Sequence, residues 1–287
     1  MLVIIFKHAL LKCQDEQNTF TLQCKLLMSF QIDLLWFYML HSIMIKPNGK
    51  SKKHTRSVIG PILLSIIVFI IFSLGFFPIV LAGKLLLYFL AFDKSWHFLL
   101  LPFIIYLGVV ILIISEISIS GLIIKLFNIK YKPGTYEYSF GDRNTFKWII
   151  VCSLYTPCRK IIEIFPVGAM KNIYYKLLGM KIGENTLVGG VIKDPCITEF
   201  GDNVTMGEYA IIYGHIQDYS KGTITIGMIK IGNNCVIGAG AIIMPGATLQ
   251  DNVVLAAGAL VTQNQILEEG KTYAGIPAKE IIMTSNT

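Results

Sequence analysis

From Ile231 to Thr262 the chain repeats in sixes: IGNNCV, IGAGAI, IMPGAT, LQDNVV, LAAGAL, VT. An aliphatic residue opens every hexad (Ile231, Ile237, Ile243, Leu249, Leu255, Val261). A small or short residue holds the fifth place of the first five (Cys235, Ala241, Ala247, Val253, Ala259). This period is the sequence form of a parallel β-helix built from hexapeptides. Three hexads make a triangular coil of about 18 residues, and coils stack at the ~4.8 Å strand spacing. Openers and fifth-place residues are expected to point inward. Glycine at the second place (Gly183, Gly189, Gly201, Gly207, Gly232, Gly238) is expected to mark a corner with unusual dihedrals.

The period begins upstream. Ile182, Val188, Phe200, Met206 and Ile212 open further hexads, and the one at Asp194 (DPCITE) breaks the aliphatic rule. From 182 to about 265 there is room for roughly four to five coils. The openers jump from Ile212 to Ile231, out of step with six, and the slip holds His215, Asp218, Tyr219 and Lys221-Gly222. A loop projecting from the coil is expected there, and loops on rigid scaffolds tend to carry chemistry.

The rest of the chain explains its composition. Of 287 residues, 54% are hydrophobic and 15% charged, more apolar than an ordinary soluble domain. The excess is local. Val58 to Ala82 has no charge, and His97 to Ser115 has no acid, Lys or Arg. Each can cross a ~30 Å hydrocarbon core as a helix, which takes about 20 residues. Phe30 to Ile45 is shorter, carries Asp33 and is not read as a span. Glu116 directly follows the second span and is expected in the interface. Lys46, Lys50, Lys52, Lys53 and Arg56 precede the first span, and Lys125, Lys130 and Lys132 follow the second. The loop Gly83 to Trp96 offers Lys84 and Lys94 against Asp93. Basic residues favour the cytoplasmic side, so both ends of the hairpin are expected there, in a cell inner (cytoplasmic) membrane.

This pattern, with attraction to anionic lipid headgroups, accounts for much of the net charge of +7. No basic run with interleaved aromatics suggests base stacking, so nucleic acid is not an expected partner. The six cysteines include no CxxC pair, which leaves zinc and thioredoxin-type readings without support. Residues 1–57 form a leader that is basic near its end and lacks the pattern of a signal peptide; Met44 is a candidate natural start. Residues 58–127 form the hairpin (58–82, and 97–115 or slightly longer). Residues 128–180 form an amphipathic linker, whose helices either lie on the membrane face or cap the next domain. The coil occupies 181–268, and 269–287 is a tail.

The segment IKIGNNCVIGAGAIIMPGATLQDNVVLAAGALVT, followed by AGIPAKEI, resembles the hexapeptide-repeat acyltransferases, among them the galactoside and maltose O-acetyltransferases. The likeness covers about 181 to 282. The hairpin in front resembles that of membrane-anchored members, some like the terminal part of peptide-synthetase-associated proteins. The resemblance implies a left-handed parallel β-helix that works as a homotrimer, with acetyl-CoA or another acyl-CoA lying between subunits and no metal. It implies that His215, in a loop some two dozen residues ahead of the IGAGA run, is the general base. An imidazole titrating near neutrality takes the proton from an acceptor as it attacks the thioester. A backbone N–H near Gly238 or Ala239 would then meet the oxyanion. CoA contacts map to Ala239, Ala257, Gly258, Thr262 and Lys279. For the Ala and Gly residues, plain packing of the rungs is the competing account. VTQN stands where many relatives carry VTK, which puts one phosphate contact in doubt.

Asp194, with Pro195, and Asp218 either orient His215 or bind acceptor, or are a corner residue or a solvated loop acid, which is the reading to expect first. The first function to expect is therefore O-acetyl transfer to a glycan or a lipid-linked sugar. N-acyl transfer to an amino sugar or peptide amine is the second, and a non-catalytic trimeric membrane scaffold the third. A γ-type carbonic anhydrase needs three histidines for zinc, and the repeats contain His215 alone.

Overall fold

The computed structural model describes residues 59–89, 95–164 and 168–281. The leader with Met44, the basic residues before the first span, Cys13, Cys24, Val58, Asp93, Lys94 and residues 282–287 lie outside the described residues. The chain divides into two units, 1–65 and 66–287. The described part of the first is the opening of helix α1 (Ile59–Gly75), where Ser65 Oγ donates to Pro61 O at 2.9 Å.

In the second unit the helix ladder breaks at Phe76 and resumes as α2 (Phe77–Phe89). Pro78 has no N–H to give, so the ladder cannot run through. After a 3₁₀ turn, Ser95–Leu100, comes α3 (Leu101–Leu126), with Pro102 in its first turn, where no N–H is needed. Gly60–Phe89 and Leu101–Leu126 are each long and apolar enough to cross a membrane. Two expectations are corrected. The first apolar segment stays helical to Phe89, so Gly83–Phe89 are not loop. Glu116 lies inside α3 rather than beyond it, buried against Gly75, where an added Cβ would fall 2.3 Å from its Cδ.

Strand β1 (Gly134–Glu137) leads to α4 (Arg143–Ile164) and α5 (Gly168–Leu177). Asp142 Oδ1 accepts from Asn144 N and Thr145 N (3.0 and 2.8 Å), satisfying two donors that a helix start leaves free. Of the two accounts of the linker, the structure shows packing. Trp148, Val151, Leu154, Tyr155, Cys158, Tyr174 and Tyr175 are buried. Gly121 of α3 allows contact with Tyr174 and Leu177 of α5. Lys171 Nζ donates to Gly189 O and Gly190 O (3.0 and 2.6 Å), and Tyr155 OH to Ile192 O, which fastens both helices to the first coil.

The coils follow as β2 (Lys181–Ile182), β3 (Leu187–Val188) and β4 (Val191–Ile192), then β5 (Thr198–Phe200), β6 (Thr205–Met206) and β7 (Ile211–Ile212). A hairpin, β8 (His215–Asp218) and β9 (Thr223–Ile226), interrupts. Winding resumes with β10 (Ile229–Ile231), β11 (Val236–Ile237), β12 (Ile242–Ile243), β13 (Thr248–Leu249), β14 (Val254–Leu255) and β15 (Leu260–Val261). It ends with β16 (Ile266–Leu267), β17 (Thr272–Ala274) and β18 (Lys279–Glu280). Three faces result: β2-β5-β10-β13-β16, β3-β6-β11-β14-β17-β18 and β4-β7-β12-β15. Within each face the strands are parallel, apart from the closing β17–β18 pair. Four coils and most of a fifth are present. Register pairs residues 18 apart in the later coils and 31 apart across the hairpin. The expected loop is thus an ordered hairpin, and β1 adds to it as a third, antiparallel strand in the order β1-β9-β8.

Openers from Ile231 to Leu267 and fifth-place residues from Cys235 to Ala259 are buried. Each buried aliphatic side chain contributes about 1.5–3 kcal/mol. The expectation for the second-place glycines is corrected. None of Gly183, Gly189, Gly201, Gly207, Gly232 or Gly238 has positive φ. They are glycine because the next coil lies against them: a Cβ on Gly238 would sit 2.3 Å from Ala257 N, and on Gly207 2.7 Å from Ala239 N. The left-handed residues fall at the fourth place, as Asn185, Asn203, Tyr209, Asn234, Gly240, Gly246, Asn252, Gly258, Asn264 and Gly270. Asparagine and glycine tolerate that region best.

Candidate active site

The break at Asp194 builds the site. Gly189 and Gly190 turn the chain in fewer residues than the other corners use, so Val191–Ile192 fill the third face two positions early. Asp194 is thereby released from the inward opener position to the corner that follows. There it is fully buried, starting a 3₁₀ turn, Pro195–Ile197. One coil further on, the same corner holds Gly214 and His215. Gly214 permits the approach: a Cβ would lie 2.6 Å from that of Asp194.

His215 Nδ1 is 2.7 Å from Asp194 Oδ2, and Gly214 N donates to the same oxygen at 2.8 Å. Oδ1 accepts from Tyr131 OH (2.8 Å) and Trp148 Nε1 (3.1 Å). Burial alone would push the Asp194 carboxyl up, but the charge and hydrogen bond of His215, with the bonds from Tyr131 and Gly214, hold it below the ordinary carboxylate value. An ionised carboxylate only accepts, so His215 donates from Nδ1, and Nε2 is the ring nitrogen that Asp194 does not engage. The His215 side chain is 17% exposed. The Trp148 ring stands edge-on to it, with centroids 4.7 Å apart. Tyr138 contacts both Trp148 and Tyr219, extending an aromatic row along the hairpin. This arrangement can accept a proton at one accessible nitrogen and stabilise the resulting cation from behind.

Asp218 does not reach His215. Its carboxylate caps the hairpin turn, accepting from Ser220 and Lys221, and those bonds hold it down to about 2. Gly238, Ala239, Ala257 and Gly258 gather at the corner between the second and third faces, where Gly258 N donates to Ala239 O at 2.9 Å. Gly238 N–H is taken by Leu255 O (2.7 Å), so it has nothing left for an oxyanion; Ala239 N–H has no partner among the described residues. Thr262 is at the corner column of His215, two coils on, where its N and Oγ1 donate to Gln265 Oε1 (2.8 and 3.1 Å). Gln265 Nε2 in turn holds Ala278 O at 2.8 Å, and the next residue, exposed Lys279, pairs with Ala274 on the second face. Within one chain, His215 and the Ala239–Gly258 cluster therefore occupy different corners. Among the described residues, no group of three His, Cys, Asp or Glu side chains could hold a metal ion.

Residues 228–263 match the family described as bacterial transferase hexapeptide (six repeats). The likeness to this family is carried by the repeat region. The chain is 26% identical over 174 residues to a delta-poly-L-ornithine synthetase of Acinetobacter baumannii (strain AB307-0294). That match covers 58% of the chain and 12% of the relative, so the chain spans about an eighth of it. A galactoside acetyltransferase in complex with coenzyme A is 23% identical at a TM-score of 0.35, over 41% of this chain and 72% of that one. A maltose O-acetyltransferase from Clostridium difficile 630 is 21% identical at 0.39, over 57% and 95%. A perosamine N-acetyltransferase from Caulobacter crescentus is 20% identical at 0.27, over 35% and 40%.

Tyr131 and Trp148 have no counterpart in the sequence-based reading. Both lie outside the repeat, 63 and 46 residues before Asp194, and no periodicity joins them to it. Asp194 had a signal: an acid standing where the hexad demands an aliphatic opener.

Proposed function

We propose that this hexapeptide transferase moves an acyl group, acetyl first, from acyl-CoA to a hydroxyl of a glycan or lipid-linked sugar, with His215 as general base. The observation that carries this reading is the Asp194–His215 pair. A buried, fully bonded carboxylate faces an imidazole whose other nitrogen is reachable at the foot of a hairpin. Nε2 takes the acceptor proton as the acceptor oxygen attacks the thioester carbonyl. The carbon–sulfur bond then breaks, the CoA thiolate leaves, and the imidazolium returns the proton to it. Ala239 N–H is the proposed donor to the oxyanion. Ala257, Gly258 and Thr262 would line the path of the pantetheine arm, and Lys279 would meet a phosphate. Because His215 and Ala239 occupy different corners of one chain, the site is proposed to form between neighbours in a homotrimer of left-handed coils. Two apolar helices in front support a membrane anchor, with both ends and the coil on the cytoplasmic side, where acyl-CoA is made available. N-acyl transfer uses the same base and remains the second reading.

His215→Ala tests the proposal in purified full-length protein, by release of CoA thiol from acetyl-CoA. Loss of a general base costs about 10²–10⁴-fold. The melting temperature should fall modestly, because buried Asp194 loses a donor, so retention of the fold is checked before rates are compared. Activity within threefold of the unaltered protein would remove His215 from the mechanism.

A further inference from the structure

The two oxygens of Asp194 are held by two different parts of the chain. Oδ2 is bonded by the coil itself, through Gly214 N and His215 Nδ1. Among the described residues, Oδ1 is bonded only from outside the repeat: by Tyr131, which precedes β1, and Trp148, in the second turn of α4. Trp148 does two things at once. Its Nε1–H donates to the carboxylate, and its ring edge rests against the imidazole. All four acceptor positions of a carboxylate are thereby filled. Tyr131, Trp148 and Asp194 are all buried, so no water replaces a donor that is removed.

We propose that Tyr131 and Trp148 are positioning residues for the general base, so that Asp194 is set against His215 only while the segment carrying them is docked on the coil. The proposal rests on the reading of His215 as the base. Its chemistry is simple. Two neutral donors on Oδ1 draw negative charge away from Oδ2 and lower the pull of Asp194 on the imidazole proton. They also fix the plane of the carboxylate, and with it the ring whose Nε2 must face the acceptor. The titratable groups facing Asp194 are His215 on the hairpin, Tyr131, Cys152 of α4 and Cys196 of the 3₁₀ turn, with Lys193 adjacent in the chain. His215 is the one of these whose ordinary value lies near neutrality. Removing a donor from Oδ1 leaves more charge for Oδ2, so the imidazolium is favoured and the His215 midpoint rises.

The experiment uses full-length protein in detergent micelles, labelled with ¹⁵N-histidine. The His215 signal is identified by its loss in His215→Ala. Tyr131→Phe keeps the ring, Trp148→Phe keeps a smaller aromatic ring, and each removes one donor. Each should raise the His215 midpoint by about half to one pH unit. The acid limb of kcat/KM for acetyl-CoA, with water as acceptor, should move by the same amount. At a pH below the midpoint the rate then falls about three- to tenfold, and above it much less. Tyr138→Phe is the control: its ring touches Trp148, but it makes no bond to Asp194, and the midpoint should stay. A buried tyrosine or tryptophan that only satisfies its own donor would lower the melting temperature without moving the titration. A midpoint unchanged in both variants, or moved equally by Tyr138→Phe, overturns the proposal. The NMR titration needs no turnover. Absence of thiol release from the unaltered protein would count against acyl transfer, while a shifted midpoint would still show that Tyr131 and Trp148 set the imidazole.

Discussion

Asp194 keeps its charge inside the protein, and that makes the fold sensitive to acid. Its folded value lies below the ordinary 3.8, so it binds its proton more weakly folded than unfolded. Its contribution to stability is full above 3.8 and is lost as pH falls through the lower folded value. Chemical denaturation of the full chain should therefore show a decline in stability beginning near pH 4 and continuing below it. Asp194→Asn should be less stable at pH 7 and should flatten that decline. An unaltered slope in Asp194→Asn would mean that other carboxylates govern the acid transition. Lys279 is the second residue with a distinct expectation. It is exposed, so its proposed contact with a CoA phosphate would be worth less than the roughly 1.5–3 kcal/mol of a shielded charged hydrogen bond. Lys279→Ala should raise the KM for acetyl-CoA several-fold with little change in kcat, and leave the KM for acetyl-pantetheine alone. Equal losses with both donors would place Lys279 away from the nucleotide end.

At the scale of the coil, two kinds of glycine must be told apart, and they respond to opposite substitutions. Gly238 has ordinary φ but no room, with Ala257 N 2.3 Å from an added Cβ. Gly258 has open space but a φ of +68°. Gly238→Ala forces two coils apart and should cost about 1–3 kcal/mol. Gly258→Asn should cost little, since asparagine tolerates the left-handed region, whereas Gly258→Val should cost about 1–2 kcal/mol. Melting curves of the three variants rank them; Gly258→Asn falling as far as Gly238→Ala would refute the distinction. The same pair shows what could be read beforehand. Inward positions repeat every six residues because burial repeats, so the openers were legible from Ile182 to Val261. Which glycine bends and which merely makes way depends on the coil above, and a single hexad does not contain that information. Asp194 was visible only as an interruption, and its release to the corner follows from the short turn at Gly189-Gly190. Tyr131 and Trp148 were not legible at all, because tertiary packing alone brings them to the corner. They also set a limit on dissection. A chain beginning near Tyr136 retains Trp148 but loses Tyr131, and strips α3 from Tyr174 and Leu177 of α5.

Across the whole molecule, the proposed membrane anchor raises the question of which side of a membrane the coil would occupy. Two helices, Gly60–Phe89 and Leu101–Leu126, are long and apolar enough to cross, and they present Phe77, Leu87, Phe103 and Tyr106 outward. Five basic residues precede the first (Lys46, Lys50, Lys52, Lys53, Arg56) and three accompany or follow the end of the second (Lys125, Lys130, Lys132). Lys84 is inside α2, so of the basic residues in 83–96 Lys94 alone stands between Phe89 and Ser95 in the sequence. The bias in basic residues therefore favours a hairpin whose two ends face the cytoplasm. α5 packs against α3, and α4 and α5 are fastened to the first coil, so under the proposed reading His215 would work close to the bilayer, on an acceptor proposed to be lipid-linked or still held at the membrane. A reporter active only in the cytoplasm should be active when fused after Thr287 and silent when inserted between Phe89 and Ser95. A periplasm-active reporter should give the opposite result at both places. An active loop insertion beside a silent C-terminal fusion would reverse the topology, put the coil on the side without acyl-CoA, and end the acyl-CoA reading along with it.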